Sequence, residues 1–290
     1  MRYEGAVYRP PSEAGSLIIQ MTIGCARNTC RLCSMYKAKQ FRIRPLEDVV
    51  EDLRMAREYY RDYLVRRIFL ADGDALICQT DDLLYVMGEA KRLFPENERI
   101  TMYGAPKDIL LKSHEDLVRL RDAGLEMVYV GAESGDDGVL EYVQKGATHA
   151  EIAEAGKKLK KAGIKVSVTL ISGLGGRERL ESHAVNSAKL ISEMNPDYVG
   201  FLTLLLESGA PMYEELRTGK FSYLTPKETM EELKLFIKNV DSEGTVFRSN
   251  HASNYISLAG TFNKDNERLL AQIEQAEKRN VYKPENYRGL

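Results

Sequence analysis

Six apolar, β-branched segments separated by amphipathic stretches dictate most of what this chain can become. Residues 17–23, 67–70, 100–103, 127–130, 166–171 and 198–205 read as strands. Between them, 45–60 carries Val49, Leu53 and Met55 at helical spacing, and 147–162 places Ile152, Ala155, Leu159 and Ala162 on one face opposite lysines. Strands and helices alternating in this way call for parallel strands joined by right-handed crossovers. Six such units predict an α/β fold, a partial (β/α)6 barrel of TIM type. Gly124 and Gly163, each preceded by alanine, stand where a helix must give way to a strand. Residues 1–15 read as an N-terminal segment, 16–240 as the core barrel, and 241–290 as an α-rich extension that packs on the barrel. That extension holds a helix over 264–279 and ends in a charged tail expected to fray.

Three cysteines, Cys25, Cys30 and Cys33, form C-x4-C-x2-C directly after the first strand; the fourth, Cys78, stands apart beyond the second. Such clustering does not build a disulfide framework; it asks for a metal. Three thiolates on one loop can wrap a [4Fe–4S] cube and leave one iron open for chemistry. A zinc site short of one ligand, or buried cysteines without metal, is the alternative that the spacing leaves open. The position favours chemistry, because α/β folds work at the C-terminal ends of their strands. His114, His149 and His183 fall on helices and are expected to be solvated or packed. With a net charge of −2 over 290 residues, nucleic acid is not an expected partner. No stretch of about 18 apolar residues and no signal peptide is found, so a cytoplasmic protein is expected.

The cysteine loop and the motifs downstream resemble the radical S-adenosylmethionine (SAM) superfamily, over roughly residues 16–201. Within it they are most similar to the elongator-catalytic-subunit and oxygen-independent coproporphyrinogen oxidase branches. The usual spacing there is C-x3-C-x2-C with an aromatic before the last cysteine; this chain has one residue more and Leu32 in the aromatic position. The segment Asp72-Gly73-Asp74 resembles the superfamily's Gly-Gly-Glu segment, which implies that Asp72 or Asp74 holds the methionyl ammonium. Glu133-Ser134-Gly135, followed by Lys145-Gly146, resembles the segment whose glutamate binds ribose hydroxyls. Implied cofactors are a [4Fe–4S] cluster on Cys25, Cys30 and Cys33, and SAM. The implied reaction is reductive cleavage to methionine and a 5′-deoxyadenosyl radical that abstracts hydrogen from substrate.

The chemistry of SAM itself asks for a carboxylate, a cation or backbone amides, and a hydroxyl acceptor. Amides near Gly173, opening a helix, and the charge of Arg177 are candidates for its carboxylate. Tyr36 is a candidate to pack on adenine. Lys37, Lys39, Arg42 and Arg44 read as a docking surface for a flavodoxin or ferredoxin, or as a solvated loop. Tyr103, Arg248 and His251 are candidates to meet substrate, the last two within a polar stretch expected to cover the active-site mouth with Asn250 and Asn254. The absence of a second cysteine cluster points away from sulfur insertion, and the short segment before residue 16 away from an N-terminal cobalamin domain. A small molecule is the expected substrate. A non-catalytic haem carrier or an iron–sulfur electron carrier on the same fold is the competing reading.

Overall fold

The computed structural model describes residues 1–289. Its strands are β1 (Leu17–Gln20), β2 (Thr22–Ile23), β3 (Arg42–Ile43), β4 (Arg67–Ala71), β5 (Arg99–Tyr103), β6 (Leu125–Glu133), β7 (Lys165–Ser172), β8 (Tyr198–Thr203), β9 (Val246–Ser249) and β10 (Leu258–Thr261). The helices are α1 (Leu46–Tyr59), α2 (Thr80–Leu93), α3 (Pro106–Leu111), α4 (His114–Asp122), α5 (Asp137–Tyr142), α6 (His149–Lys161), α7 (Leu180–Met194), α8 (Pro211–Arg217), α9 (Pro226–Asn239) and α10 (Asn266–Arg279). In sheet order the eight strands of the main sheet run β1-β4-β5-β6-β7-β8-β9-β10, mostly parallel, with β10 antiparallel to β9. This is the partial TIM-type arrangement that strand–helix alternation predicts.

The chain divides into two compact units. One holds Met1–Asn28, Met35–Val130 and Lys158–Val166; the other holds Thr29–Ser34, Gly131–Lys157 and the chain from Ser167 onward. In the first unit β4 is buried on both faces after its first residue, as a parallel strand covered by helices should be. Phe69, Tyr103 and Tyr129 meet edge to face there, with ring centroids 5.1–6.1 Å apart. Gly124 and Gly163 both take positive φ, 108° and 80°, where their helices stop. In the second unit β7 alternates buried and half-buried residues, and Phe201, Phe236, Phe247 and Phe262 form one aromatic core. The expected helical face of Ile152, Ala155, Leu159 and Ala162 is fully buried.

Four expectations change. The first strand is broken at Met21, whose N–H donates to Ala71 (2.6 Å); Thr22 and Ile23 then pair with β3 instead of continuing along β4. Met55 lies on the exposed side of α1, and Val50 and Ala56 are buried in its place. The C-terminal extension contributes strands as well as a helix: β9 runs parallel to β8, and β10 returns antiparallel against β9. Nor does the tail fray. The Arg288 guanidinium sits 3.9 Å over the ring of Tyr255 and donates to the Ser253 carbonyl (2.6 Å), while Tyr255 donates to Glu285 (2.7 Å). A cation stacked on an aromatic face and hydrogen-bonded at its edge holds residues 285–288 down.

Candidate active site

At the end of β4 the backbone turns through Asp72-Gly73-Asp74, and the three residues do different work. Gly73 donates its N–H to the carbonyl of Gly24 (3.1 Å), which brings the start of the cysteine loop against the strand end. A Cβ on Gly73 would lie 2.8 Å from the ring of Tyr36 and 2.9 Å from Cβ of Cys25. Only glycine leaves room for that approach. Tyr36 is buried, with Tyr8 edge-on at 5.5 Å and the Lys39 ammonium 5.7 Å from its ring.

Asp72 is fully buried. Its Oδ2 accepts from Gly24 N–H (2.9 Å), Gln20 Nε2 (3.2 Å) and Lys39 Nζ (2.7 Å), while Oδ1, equally buried, receives no donor. A buried carboxylate oxygen left open is an acceptor awaiting a cation or an N–H. Asp74 differs. Its Oδ1 accepts from Ala105 N–H (3.1 Å), and burial, then the neighbouring Asp108 carboxylate, hold its carboxyl well above the usual range. Burial and the neighbouring carboxylate disfavour the charged form of Asp74, whereas Asp72 is already paired with the Lys39 ammonium and has an open oxygen, so of the two candidates Asp72 is the better placed for an ammonium. Tyr103 ends β5 within the aromatic cluster described above.

Cys30 and Cys33 belong to the second unit, where Arg31 between them anchors their limb. Arg31 N–H donates to Val143 (2.9 Å), its carbonyl accepts from Met212 N–H (3.0 Å), and its guanidinium lies 4.9 Å over Tyr142 and pairs with Glu215. Cys25, Cys30 and Cys33 are all partly exposed, whereas Cys78 is fully buried and its thiol is pushed up to about 12 by that burial. A thiol that resists ionisation is a poor ligand. Among the described residues, no three His, Cys, Asp or Glu side chains converge on one point as a single metal ion requires. A cluster asks for something else, since each thiolate binds its own iron corner.

Glu133 ends β6 in the left-handed region, φ 67°, and its carboxylate meets Lys145 Nζ at 3.1 Å across Gly131. Non-glycine residues held at positive φ store strain and mark places where side-chain direction matters. Ser134 is buried, its hydroxyl 2.8 Å from Nδ1 of His183 and accepting from Asp136 N–H (2.9 Å). His183 lies 3.1 Å from the Ile171 carbonyl through Nε2, so that nitrogen is the donor there. The Gly173 N–H and the Ser172 hydroxyl both donate to Glu232, a fully buried carboxylate that sequence reasoning did not single out. Arg177 is exposed, paired with Glu228 (2.6 Å) and Ser222 (2.9 Å). Asn254 staples its loop to the end of β8, accepting from Thr203 Oγ1 (2.9 Å) and donating to the Phe201 carbonyl (2.9 Å). His251 packs beside it on Ser253 (2.9 Å), while Arg248 points along β9 and donates to its own strand at Phe247 (2.8 Å).

The expected basic docking surface does not form as a free patch. Arg44 is buried against Asp52 (2.7 Å), Lys39 is partly buried and paired with Asp72, and Arg42 is paired with Glu4; of the four, Lys37, bonded to the Asn28 carbonyl (2.7 Å), keeps a neutral partner. These cations hold the loop in place.

Residues 19–190, more than half of the chain, match the sequence family described as the Radical SAM superfamily. The chain belongs to the radical SAM superfamily. It is 24% identical over 220 residues to the anaerobic magnesium-protoporphyrin IX monomethyl ester cyclase of Cereibacter sphaeroides, covering 72% of this chain and 34% of that protein. It therefore spans about a third of this curated relative. The fold is similar to that of the radical SAM methyltransferase TsrM from Kitasatospora setae, solved with tryptophan and a SAM analogue bound (TM-score 0.56, 19% identity, 70% of this chain and 39% of that one). It is also similar to coproporphyrinogen III oxidase HemN of Escherichia coli (TM-score 0.56, 14% identity, 77% and 51%). A [4Fe–4S] cluster and SAM are the cofactors of a radical SAM fold. The donor chemistry is compatible with them: the cysteines of the loop are partly exposed thiols, and within the first unit a Cβ on Gly73 would fill the space beside Cys25 while a buried oxygen of Asp72 has no donor.

Proposed function

We propose that this chain is a radical SAM enzyme that abstracts hydrogen from a small-molecule substrate, with Cys25, Cys30 and Cys33 holding the cluster. The observation that carries the reading is the close approach of Cys25 and Tyr36 over Gly73, beside the open oxygen of Asp72. When bound, the reduced cluster supplies the electron that splits SAM into methionine and a 5′-deoxyadenosyl radical. The chain's part is to bind, orient and exclude water. Asp72, through its open oxygen, would hold the methionyl ammonium; Glu133, aimed by its backbone and steadied by Lys145, would accept from ribose hydroxyls; Tyr36 would offer its ring to adenine. Ser134 and Gly173, engaged with His183 and Glu232, shape the turns around the cofactor, and Arg177 closes the turn after β7 through Glu228. Tyr103 and His251 would be the nearer candidates to meet substrate, Arg248 would have to leave the Phe247 and Gly260 carbonyls to reach it, and a flavodoxin or ferredoxin supplies electrons. Residues 16–240 would form the catalytic core, with 241–290 as its extension.

The test is anaerobic reconstitution with iron and sulfide, reduction, and mass-spectrometric detection of 5′-deoxyadenosine from SAM. Cys25→Ala, Cys30→Ala and Cys33→Ala should each abolish cluster and product, and Cys78→Ala neither. Loss of iron from the Cys78→Ala protein, or product from the Cys33→Ala protein, would overturn the ligand assignment.

A further inference from the structure

Arg27 lies inside the cysteine loop, two residues past Cys25, and grips a carboxylate from a different part of the fold. Its Nη2 lies 3.1 Å from both Oδ1 and Oδ2 of Asp108, and its Nε 3.3 Å from Oδ2. Asp108 sits in the first turn of α3 with its side chain 4% exposed, whereas Arg27 is 38% exposed. A forked guanidinium on a carboxylate fixes direction as well as distance, which a single contact does not. Asp108 in turn stands beside Asp74, and Asp74 accepts from Ala105 N–H immediately before α3. The end of β4, the start of α3 and the first limb of the cysteine loop are thus tied through three side chains. No step of the proposed mechanism uses this tie.

We propose that Asp108 is a positioning residue that acts through Arg27 to hold the first limb of the loop, and hence Cys25, in the conformation that binds the cluster. The inference rests on the ligand assignment made above. A loop freed from this clamp still carries its three thiols, so the cluster assembles but is held less firmly and meets SAM in more than one geometry.

The experiment compares Asp108→Asn, Arg27→Gln, the double variant and Arg27→Lys, each reconstituted anaerobically. The readouts are iron and sulfide content, the rate at which a strong iron chelator strips the cluster, the electron paramagnetic resonance spectrum of the reduced cluster with and without added SAM, and the melting temperature of the apo-protein. Asp108→Asn and Arg27→Gln should each assemble a full cluster, lose it to chelator about tenfold faster, and broaden the SAM-induced spectral change. The double variant should be no worse than either single one, the signature of a coupled pair. Arg27→Lys, which keeps the charge but not the fork, should fall between. Because Arg27 is partly exposed, its variants decide the matter even where Asp108→Asn fails to fold. Unchanged stripping rates in Arg27→Gln, or additive effects in the double variant, would overturn the clamp. An undiminished cluster in Cys25→Ala would instead overturn the ligand assignment beneath it.

Discussion

At the scale of single residues, Asp72 and Asp74 stand two positions apart and are opposite in character. Asp72 is fully buried and its carboxylate is paired at 2.7 Å with the ammonium of Lys39, whose side chain is 10% exposed, so Asp72→Asn leaves that ammonium without its countercharge, and such breaks cost up to about 3–5 kcal/mol. Chemical denaturation of the apo-protein should register that loss. Burial and Asp108 favour the protonated form of Asp74, so Asp74→Asn, which replaces that acid by a near-isostere, removes the titration without emptying the site. Folding raises this group's affinity for a proton, which means that stability falls as pH rises above the ordinary carboxylate range. The slope is at most about 1.4 kcal/mol per pH unit for one group, and the Asp74→Asn variant should lack it when melting is followed from pH 4 to 7. An unchanged slope in the variant would mean that folding does not raise the proton affinity of Asp74. From sequence, both residues read as equal candidates for an ammonium. What separates them is the tertiary partner each meets, Lys39 or Asp108, and no local spacing encodes that.

At the scale of elements, the segment between β9 and β10 and the C-terminal tail form one assembly. Asn254 and Ser253 bind the segment to the last residue of β8, and Arg288, Glu285 and Lys283 clamp it from outside. The unusual polar composition of 248–255 was legible, and so was its departure from the preceding pattern. Its internal use of Asn254 was not, because asparagine on a loop and asparagine stapling a strand end look alike in one dimension. The Arg288 stack on Tyr255 should contribute about 2 kcal/mol to local closure. Arg288→Ala is therefore expected to raise amide hydrogen exchange in 250–256 by roughly thirtyfold while leaving α6 and β4 protected. Uniformly faster exchange across the chain would show instead that the tail stabilises the whole molecule.

At the scale of the whole molecule, the order of strands and helices was readable because burial on a parallel sheet imposes a period that survives in sequence, as at β7 and α6. Breaks in that order were not readable where one backbone hydrogen bond decides them, as at Met21. Stability should also carry a mark of acid. Burial and the charge of Lys283 lower the proton affinity of His251, so the folded state binds fewer protons than the unfolded one just below pH 6.5, and stability falls as pH drops through that window. His251→Gln should flatten this limb in a melting series from pH 5 to 8. Glu133 belongs to the same balance. Its left-handed backbone carries a strain of about 1 kcal/mol or more, which glycine would not feel. A library of this chain selected for thermal resilience alone would therefore enrich Glu133→Gly and silently discard the ribose contact proposed for this carboxylate. Evolution under metabolic demand would retain the strained acid, and the contrast between the two selections would reveal which pressure shaped the position.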